Sequence, residues 1–141
     1  MAWNEQKYDE FVKHMEGLYP SMFSEPYGGF AIGEGWWPIV EVLCAQIDHY
    51  IKWKNRDTQV VAPVVVHQIK EKFGGLRFYF EGGDEYCRGL AAMAEEWCNT
   101  VCETCGERGT RRAGGWMRTL CDKHEQEYQD RLKIDREKYG D

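Results

Sequence analysis

Residues 68–80, QIKEKFGGLRFYF, decide the fold that we expect for this chain. Apolar and polar residues alternate on both sides of a central Gly-Gly pair, which is typical of a β-hairpin with one buried face. Because glycine tolerates the positive φ of type I′ and II′ turns, the sequence predicts a two-residue turn at Gly74 and Gly75. In this register Lys72 lies directly opposite Arg77.

The predicted register divides the hairpin into an apolar face and a basic face. The apolar face should pack on the core and consists of His67, Ile69, Phe73, Leu76, Phe78 and Phe80, with Glu71 among them. An unpaired carboxylate is costly to bury, so we expect Glu71 to meet an arginine, a histidine or backbone N–H donors. The opposite face, which we call the basic hairpin face, consists of Lys70, Lys72, Arg77 and Tyr79.

Two interpretations of the basic hairpin face are open. Like charges directly opposite each other in a sheet cost about 0.2–1 kcal/mol, and on a solvated surface such side chains simply point apart. Alternatively, the face binds an anionic ligand or a partner, and Tyr79 offers a ring for stacking. Trp36 and Trp37 precede a predicted helix N-terminus, where free N–H groups favour anions. They either sandwich a planar ligand there or belong to the core.

The segments around the hairpin predict helices. Apolar residues recur at helical spacing, and Asn4, Pro38 and Asp84 are suited to the starts of the first three helices. The expected helices span Glu5–Leu18, 38–54, 85–101 and Asp122–Tyr139, and a short strand is expected at 30–32. The apolar stripe expected on the third helix consists of Tyr86, Leu90, Met93, Ala94, Trp97 and Val101. The fold class is therefore α+β, with helices packed on a small antiparallel β-hairpin sheet.

Residues 102–124, CETCGERGTRRAGGWMRTLCDKH, carry the strongest chemical signal. Cys102 and Cys105 form a C-x2-C pair, Cys121 and His124 form a C-x2-H pair, and fifteen residues lie between the pairs. Three thiolates and one imidazole suit tetrahedral Zn²⁺, and the ion should be structural because protein ligands fill all four positions. A C-x2-C turn, a hairpin and two ligands at a helix start follow the order of a treble clef or zinc ribbon.

The remaining three cysteines are assigned from their positions on helices. Cys44 and Cys87 should be core residues, because a free cysteine behaves as a small apolar side chain. Cys98 lies one helical turn before Cys102, which makes it a competing candidate for the metal site.

Length and composition favour one compact domain. The 141 residues suffice for one core, and we expect residues 1–101 to form the α+β part, with the hairpin at 64–82. Residues 102–141 should add the zinc-binding subdomain and the terminal helix. No apolar run is long enough to span a membrane, and the N-terminal residues do not form a secretory signal. We therefore expect a cytoplasmic protein with reduced or metal-bound cysteines.

The motifs in combination resemble a known group of proteins. QIKEKFGGLRFY, followed by CETCG, GGW and TLCDKH, resembles a family of small tailed-phage and prophage proteins whose activity is not established. The resemblance covers roughly residues 36–124, and both ends of the chain depart from it. It implies a phage accessory protein in the cytoplasm of a bacterial host, and it supplies no catalytic residues.

Two classes of binding function are compatible with these motifs. The first is a non-catalytic protein directed against host defence, which sequesters a small anionic nucleotide signal or masks a host protein. The second is a nucleic-acid-binding zinc module. Its contacts would be the basic and aromatic residues between the ligand pairs, Arg108, Arg111, Arg112, Trp116 and Arg118. The net charge of −6 argues against tight nonspecific binding to nucleic acid.

A third class, an enzyme, is not expected. The sequence has no nucleophile motif, phosphate loop or zinc-protease pattern. His67 and Glu71 are four residues apart on one predicted strand, a separation of about 13 Å that prevents a direct dyad. Oligomeric state is left open.

Overall fold

The computed structural model describes residues 3–140, which contain four α-helices and five strands. In chain order the elements are α1 (Glu5–Leu18), β1 (Phe30–Ala31), α2 (Trp37–Lys54), β2 (Val65–Lys72), β3 (Gly75–Glu81), α3 (Glu85–Cys98), β4 (Thr110–Arg112), β5 (Arg118–Leu120) and α4 (Asp122–Tyr139). A single 3₁₀ turn, Glu34–Trp36, leads directly into α2. The predicted α+β fold class is confirmed.

Capping side chains determine where α1 and α3 begin. The side chain of Asn4 accepts a hydrogen bond from the backbone N–H of Lys7 at 3.0 Å, and Asp84 caps the first turn of α3 in the same way. Such bonds satisfy N–H groups that have no partner within the helix. The two predicted starts are confirmed, although α3 ends at Cys98 and not at residue 101.

The strands form two separate sheets within the described residues. In the first, β2 and β3 form the expected antiparallel hairpin, and β1 joins β2 in parallel to give the order β1-β2-β3. The second sheet is the short antiparallel pair β4–β5. The larger sheet is therefore mixed. On one side of β2 lies its hairpin partner β3, and on the other side lies β1, which belongs to the segment between α1 and α2.

The β2–β3 turn lies one residue earlier than predicted. Phe73 and Gly74, with φ of 54° and 81°, are the two turn residues, and positive φ at both positions is the type I′ geometry. Arg77 consequently lies opposite Lys70 and not opposite Lys72. The predicted pairing is therefore wrong, although these three side chains still share one face of the hairpin.

Contacts with residues 102–124, which we call the zinc-motif segment after their predicted ligands, explain the position of this turn. The carbonyl of Gly74 accepts a hydrogen bond from Thr119 Oγ1 at 2.7 Å, and Arg111 donates one to the carbonyl of Phe73. The Gly74 N–H donates to Glu71 Oε2 at 2.7 Å, which confirms that Glu71 meets a backbone donor. Phe73 leaves the apolar face and is 58% exposed, so its expected place in the core is wrong.

An irregularity in β2 maintains the buried face of the sheet. The register shifts between Val66 and Gln68, which leaves His67 on the outside with its Nε2 3.1 Å from Glu81 Oε1. His67 was expected on the apolar face, and that placement is wrong because the shift adds one residue to the alternation. The buried apolar side chains of the hairpin are those of Val66, Ile69, Leu76 and Phe78.

Helix α3 packs with small residues and exposes larger ones. Its buried residues are Cys87, Ala91, Ala94 and Cys98. Of the stripe expected to be buried, Tyr86, Met93 and Trp97 are exposed, so that prediction is wrong for them. Small side chains let the helix lie close to its neighbours α2 and β3, whereas the larger ones would hold it away. The expected core placement of Cys44 and Cys87 is confirmed.

Candidate metal centre and basic hairpin face

The four predicted metal ligands converge on one point. Cys102 and Cys105 lie in the turn that follows α3, Cys121 is the N-cap of α4, and His124 lies in the first turn of that helix. Their ligand atoms all lie within 4.8 Å of one another. Cys98, the competing candidate, is outside this cluster and fully buried, and burial raises the pKa of its thiol to about 12.

Three of the distances between ligand atoms are close to those of a tetrahedral site. Metal–sulfur bonds of about 2.3 Å and metal–nitrogen bonds of about 2.0–2.1 Å place two sulfurs about 3.8 Å apart and a sulfur and a nitrogen about 3.5 Å apart. The Sγ atoms of Cys105 and Cys121 are 3.8 Å apart. His124 Nδ1 is 3.7 Å from Cys102 Sγ and 3.2 Å from Cys121 Sγ. The cluster can therefore hold a metal ion, with Nδ1 as the histidine ligand atom.

Two cysteines of the cluster have thiol pKa values shifted in opposite directions. Burial acts to raise the pKa of the Cys102 thiol, but the backbone N–H groups of Cys121, Cys105 and Thr104 outweigh it and lower that pKa. Burial and the neighbouring sulfurs raise the pKa of Cys105 to about 11. A divalent cation at the centre would stabilise the neighbouring thiolates together, because metal-bound thiols are deprotonated.

The outer ring nitrogen of His124 faces an acidic side chain. Its Nε2 lies 3.6 Å from Glu127 Oε2. A carboxylate beside the free nitrogen of a ligating histidine favours the tautomer with Nδ1 directed at the metal. The backbone N–H of His124 also approaches Cys121 Sγ, at 3.5 Å, so the first turn of α4 aligns both of its ligands.

The metal-binding turn packs directly on the backbone before α2. The carbonyl of Glu103 accepts a hydrogen bond from the N–H of Gly35 at 2.8 Å, and its carboxylate accepts one from the N–H of Gly33, also at 2.8 Å. Burial raises the pKa of Glu103 to about 7. A Cβ at Gly35 would lie 2.1 Å from the carbonyl oxygen of Cys102. The two predicted parts of the chain therefore meet through backbone groups with no space for side chains.

Trp36 and Trp37 are both interior residues. Trp36 is 0% exposed and donates its Nε1–H to the carbonyl of Val101 at 2.8 Å. Trp37 is buried and stacks on Phe11, with ring centroids 4.5 Å apart. Its edge lines an open groove of about 540 Å³ beside Thr104. This burial favours the core interpretation of the pair over a sandwich around a planar ligand.

The basic hairpin face is present on the outer side of β2 and β3. Lys72 and Tyr79 are exposed, and Lys70 and Arg77 are half-buried. Arg77 Nη1 donates to the carbonyl of Leu76 at 3.1 Å. Among the ion pairs formed by residues 3–140, none involves Lys70, Lys72 or Arg77. No carboxylate of the described residues therefore lies within 4.0 Å of the charged nitrogens of these three side chains.

The arginines of the β4–β5 hairpin divide into two groups. Arg118 is buried, pairs with Glu125 at 2.7 Å and stacks over Tyr128 at 4.0 Å, while Arg112 pairs with Asp122 at 2.9 Å. These two arginines therefore join the β4–β5 hairpin to α4, the helix that contains His124. Arg108 and Arg111 are exposed, and no ion pair of either is found among the described residues.

The residues that join the two hairpins have no recognisable pattern in the sequence. Thr119 is fully buried and bonds to Gly74, and Arg111 bonds to Phe73. No local pattern indicates such contacts, because their partners are 45 and 38 residues apart in the chain. Trp116, predicted as a stacking residue, lies beside the tip glycines of the β4–β5 hairpin and is 68% exposed.

Comparisons of the chain with protein-family models, with curated proteins and with solved structures find no match. Within residues 3–140, none of the helices is both long enough and apolar enough to cross a membrane. The candidate function therefore rests on the metal centre, on the basic hairpin face and on the contacts between them.

Proposed function

We propose that this protein is a non-catalytic binding protein that takes an anionic partner on its basic hairpin face. The observation that carries the proposal is the cluster Lys70, Lys72 and Arg77, which share one face without a carboxylate partner among the described residues. The chain as a whole has a net charge of −6. A local cluster of cations in an acidic protein creates a positive potential that attracts anions to that face.

The proposed metal is Zn²⁺ in a treble-clef-like subdomain with a structural role. Three sulfurs and one nitrogen are a ligand set that zinc prefers, and the succession of ligand turn, hairpin and helix start supports this arrangement. The ion would hold β4 and β5 in place. Because Thr119 and Arg111 of these strands bind the β2–β3 turn, zinc would also support the basic hairpin face.

The biological setting follows from the resemblance to phage and prophage proteins. We infer an accessory protein that acts in the cytoplasm of a bacterial host, against host defence. In that setting the anionic partner is a nucleotide immune signal, which the protein would sequester, or an acidic surface of a host protein, which it would mask.

A nucleic-acid-binding zinc module is the second candidate function. It is supported by the exposed positions of Arg108, Arg111 and Trp116 on the zinc-motif segment. However, Arg112 and Arg118 are engaged in ion pairs within the subdomain. Fewer cations are therefore free for phosphates than the sequence indicates, and the basic hairpin face is the better supported site.

The test combines native mass spectrometry with charge variants. Protein purified from bacteria should carry about one zinc ion per chain and should retain or bind an anionic partner. The double variant Lys72→Ala with Arg77→Ala should lose that partner and keep its zinc. Lys13→Ala, an exposed lysine on α1, is the matched control and should bind as the wild type does. Equal binding by the double variant would contradict the proposal.

A further inference from the structure

Phe73 is an unusual residue for its place in the turn. Among residues 3–140 it is the only residue other than glycine with positive φ. The first central position of a type I′ turn favours Asn, Asp or Gly, whereas a bulky residue in the left-handed region is strained. Local conformational preference therefore opposes phenylalanine here.

Burial does not compensate for this strain. The Phe73 side chain is 58% exposed, and it makes no aromatic ring contact among those found in the described residues. The contact that does tie this residue to the fold is through its carbonyl, which accepts from Arg111. Every residue has a backbone carbonyl, so this contact does not require phenylalanine. Residues with strained backbone conformations cluster at functional sites. The Phe73 ring, which no packing contact explains, is therefore a candidate for a functional role.

The surroundings of the ring are cationic. Lys72 Nζ lies 5.5 Å from the centroid of the Phe73 ring, and the guanidinium of Arg111 lies at its carbonyl. The free cations of Lys70 and Arg77 belong to the same hairpin. A partner protein would more typically meet an aromatic anchor inside an apolar patch. An exposed ring beside free cations suits a ligand that combines a flat base with a phosphate.

We propose that Phe73 is the base-stacking residue of a nucleotide site at the tip of the β2–β3 hairpin. The base stacks on the open side of the Phe73 ring, and the phosphate pairs with Lys72 and Arg111. This inference rests on the proposed function and narrows its anionic partner to a nucleotide. The same chemistry occurs in free nucleotides and in single-stranded nucleic acid, so the test has one arm for each.

The test measures affinity and thermal stability of the zinc-loaded full chain. The free-nucleotide arm uses a cyclic dinucleotide and ADP-ribose in isothermal titration calorimetry, and the other arm uses a labelled single-stranded dT oligonucleotide in fluorescence anisotropy. Phe73→Asn removes the ring and suits the left-handed backbone. It should weaken binding in the active arm about tenfold or more, as expected for the loss of one base–aromatic stack, with no fall in melting temperature.

Two control variants separate stacking from other effects. Phe73→Tyr keeps a ring and should retain affinity. Val60→Asn removes an exposed apolar side chain from a distant loop and should leave affinity unchanged. If Phe73→Asn binds as the wild type does, or if it melts well below both the wild type and Phe73→Tyr, the stacking role is overturned.

The outcome with wild type distinguishes this inference from the proposed function. If neither arm shows binding, the nucleotide site is overturned. The proposed function still stands in that case if a copurified acidic protein partner is lost in the Lys72→Ala, Arg77→Ala double variant. If that partner is absent or retained as well, both proposals are overturned.

Discussion

The two hairpins of this protein are stabilised in different ways. The β2–β3 hairpin has strands of 8 and 7 residues and buries four apolar side chains against the helices. The β4–β5 hairpin has two strands of three residues each, and β4 has no buried residue. Such a short pair is not stable by itself. Apolar burial can hold the first hairpin, whereas the second has fully buried residues only on β5 and is joined by ion pairs to α4 and by hydrogen bonds to the β2–β3 turn. We therefore expect the second hairpin to depend more on the metal cluster, because two of the candidate ligands lie at the start of α4.

The largest expected effect is loss of the metal ligands. In the Cys102→Ser, Cys105→Ser double variant, the proposed metal ion should be lost and the segment 106–120 should loosen, because metal-binding free energy is folding free energy in such small modules. Metal analysis and amide hydrogen exchange would measure this. Protection of β4 and β5 should fall much more than protection of β2 and β3.

A buried cysteine outside the cluster provides the control for that experiment. Cys87→Ala should keep its zinc, since Cys87 lies on α3 in the core and not among the ligands. Full zinc retention in the double variant would contradict the assignment of the metal centre. Equal loss of protection in both hairpins would contradict the contrast between them.

The next largest effect is expected where the metal-binding turn meets the chain before α2. Gly35→Ala would place a Cβ 2.1 Å from the carbonyl oxygen of Cys102 and 2.5 Å from the N atom of Gly106. These are backbone atoms that cannot rotate away, so we expect a loss of at least about 2 kcal/mol of unfolding free energy. Urea titration would measure it.

Gly17→Ala is the matched control, because no atom lies within 4 Å of the added Cβ in α1. It should be neutral or stabilise the protein by up to about 1 kcal/mol. A similar loss for both glycine variants would show that the close approach at Gly35 is not specific.

An intermediate effect should distinguish the two glycines of the β2–β3 turn. Gly74→Ala forces a side chain into φ of 81° and to within 3.2 Å of the Arg118 backbone, and it should cost about 1–3 kcal/mol. In Gly75→Ala the close contacts of the added Cβ, at 3.1 and 3.2 Å, are with the ends of the Arg77 and Asn99 side chains, and its 3.7 Å distance to the Lys72 carbonyl is an ordinary contact, so this variant should cost less. Melting temperatures of the two variants decide the register. A larger loss for Gly75→Ala would favour the turn at Gly74 and Gly75.

The smallest effect is expected at the bond between the two hairpins. Thr119→Val removes the 2.7 Å hydrogen bond to the carbonyl of Gly74 and should cost about 1 kcal/mol, the net contribution of one neutral hydrogen bond. Thr110→Val on exposed β4 should stay within about 0.5 kcal/mol of the wild type. If chemical denaturation gives equal values for the two, the Thr119 bond does not couple the hairpins.

Local patterns in the sequence were sufficient for the elements and for the ligand set. Asn4 and Asp84 were identified as caps because capping needs only a side chain and the next few N–H groups. The bounds of α1 and α4 agree with the structure for the same reason. The ligands were found because a C-x2-C pair and a C-x2-H pair each bring two ligand atoms together within one turn.

Side-chain placement was less predictable where two faces were both plausible. Tyr86, Met93 and Trp97 are apolar and fall at helical spacing, yet α3 turns its smaller residues inward. Periodicity shows that a helix has a preferred face, but the space between neighbouring elements selects which residues fit there. For the same reason, the sequence allows both a core role and a ligand-binding role for Trp36 and Trp37. In the structure both lie in the core.

The α+β class, the helix starts, the existence of both hairpins and the four candidate ligands can be predicted from sequence patterns, because each of these depends on contacts between near neighbours in the chain. The position of the turn at Phe73 and Gly74 depends instead on contacts with a distant segment. A one-residue change of turn position leaves the local alternation nearly as favourable. The hydrogen bonds from Thr119 and Arg111, which come from the distant metal-binding segment, make one register more stable than the other.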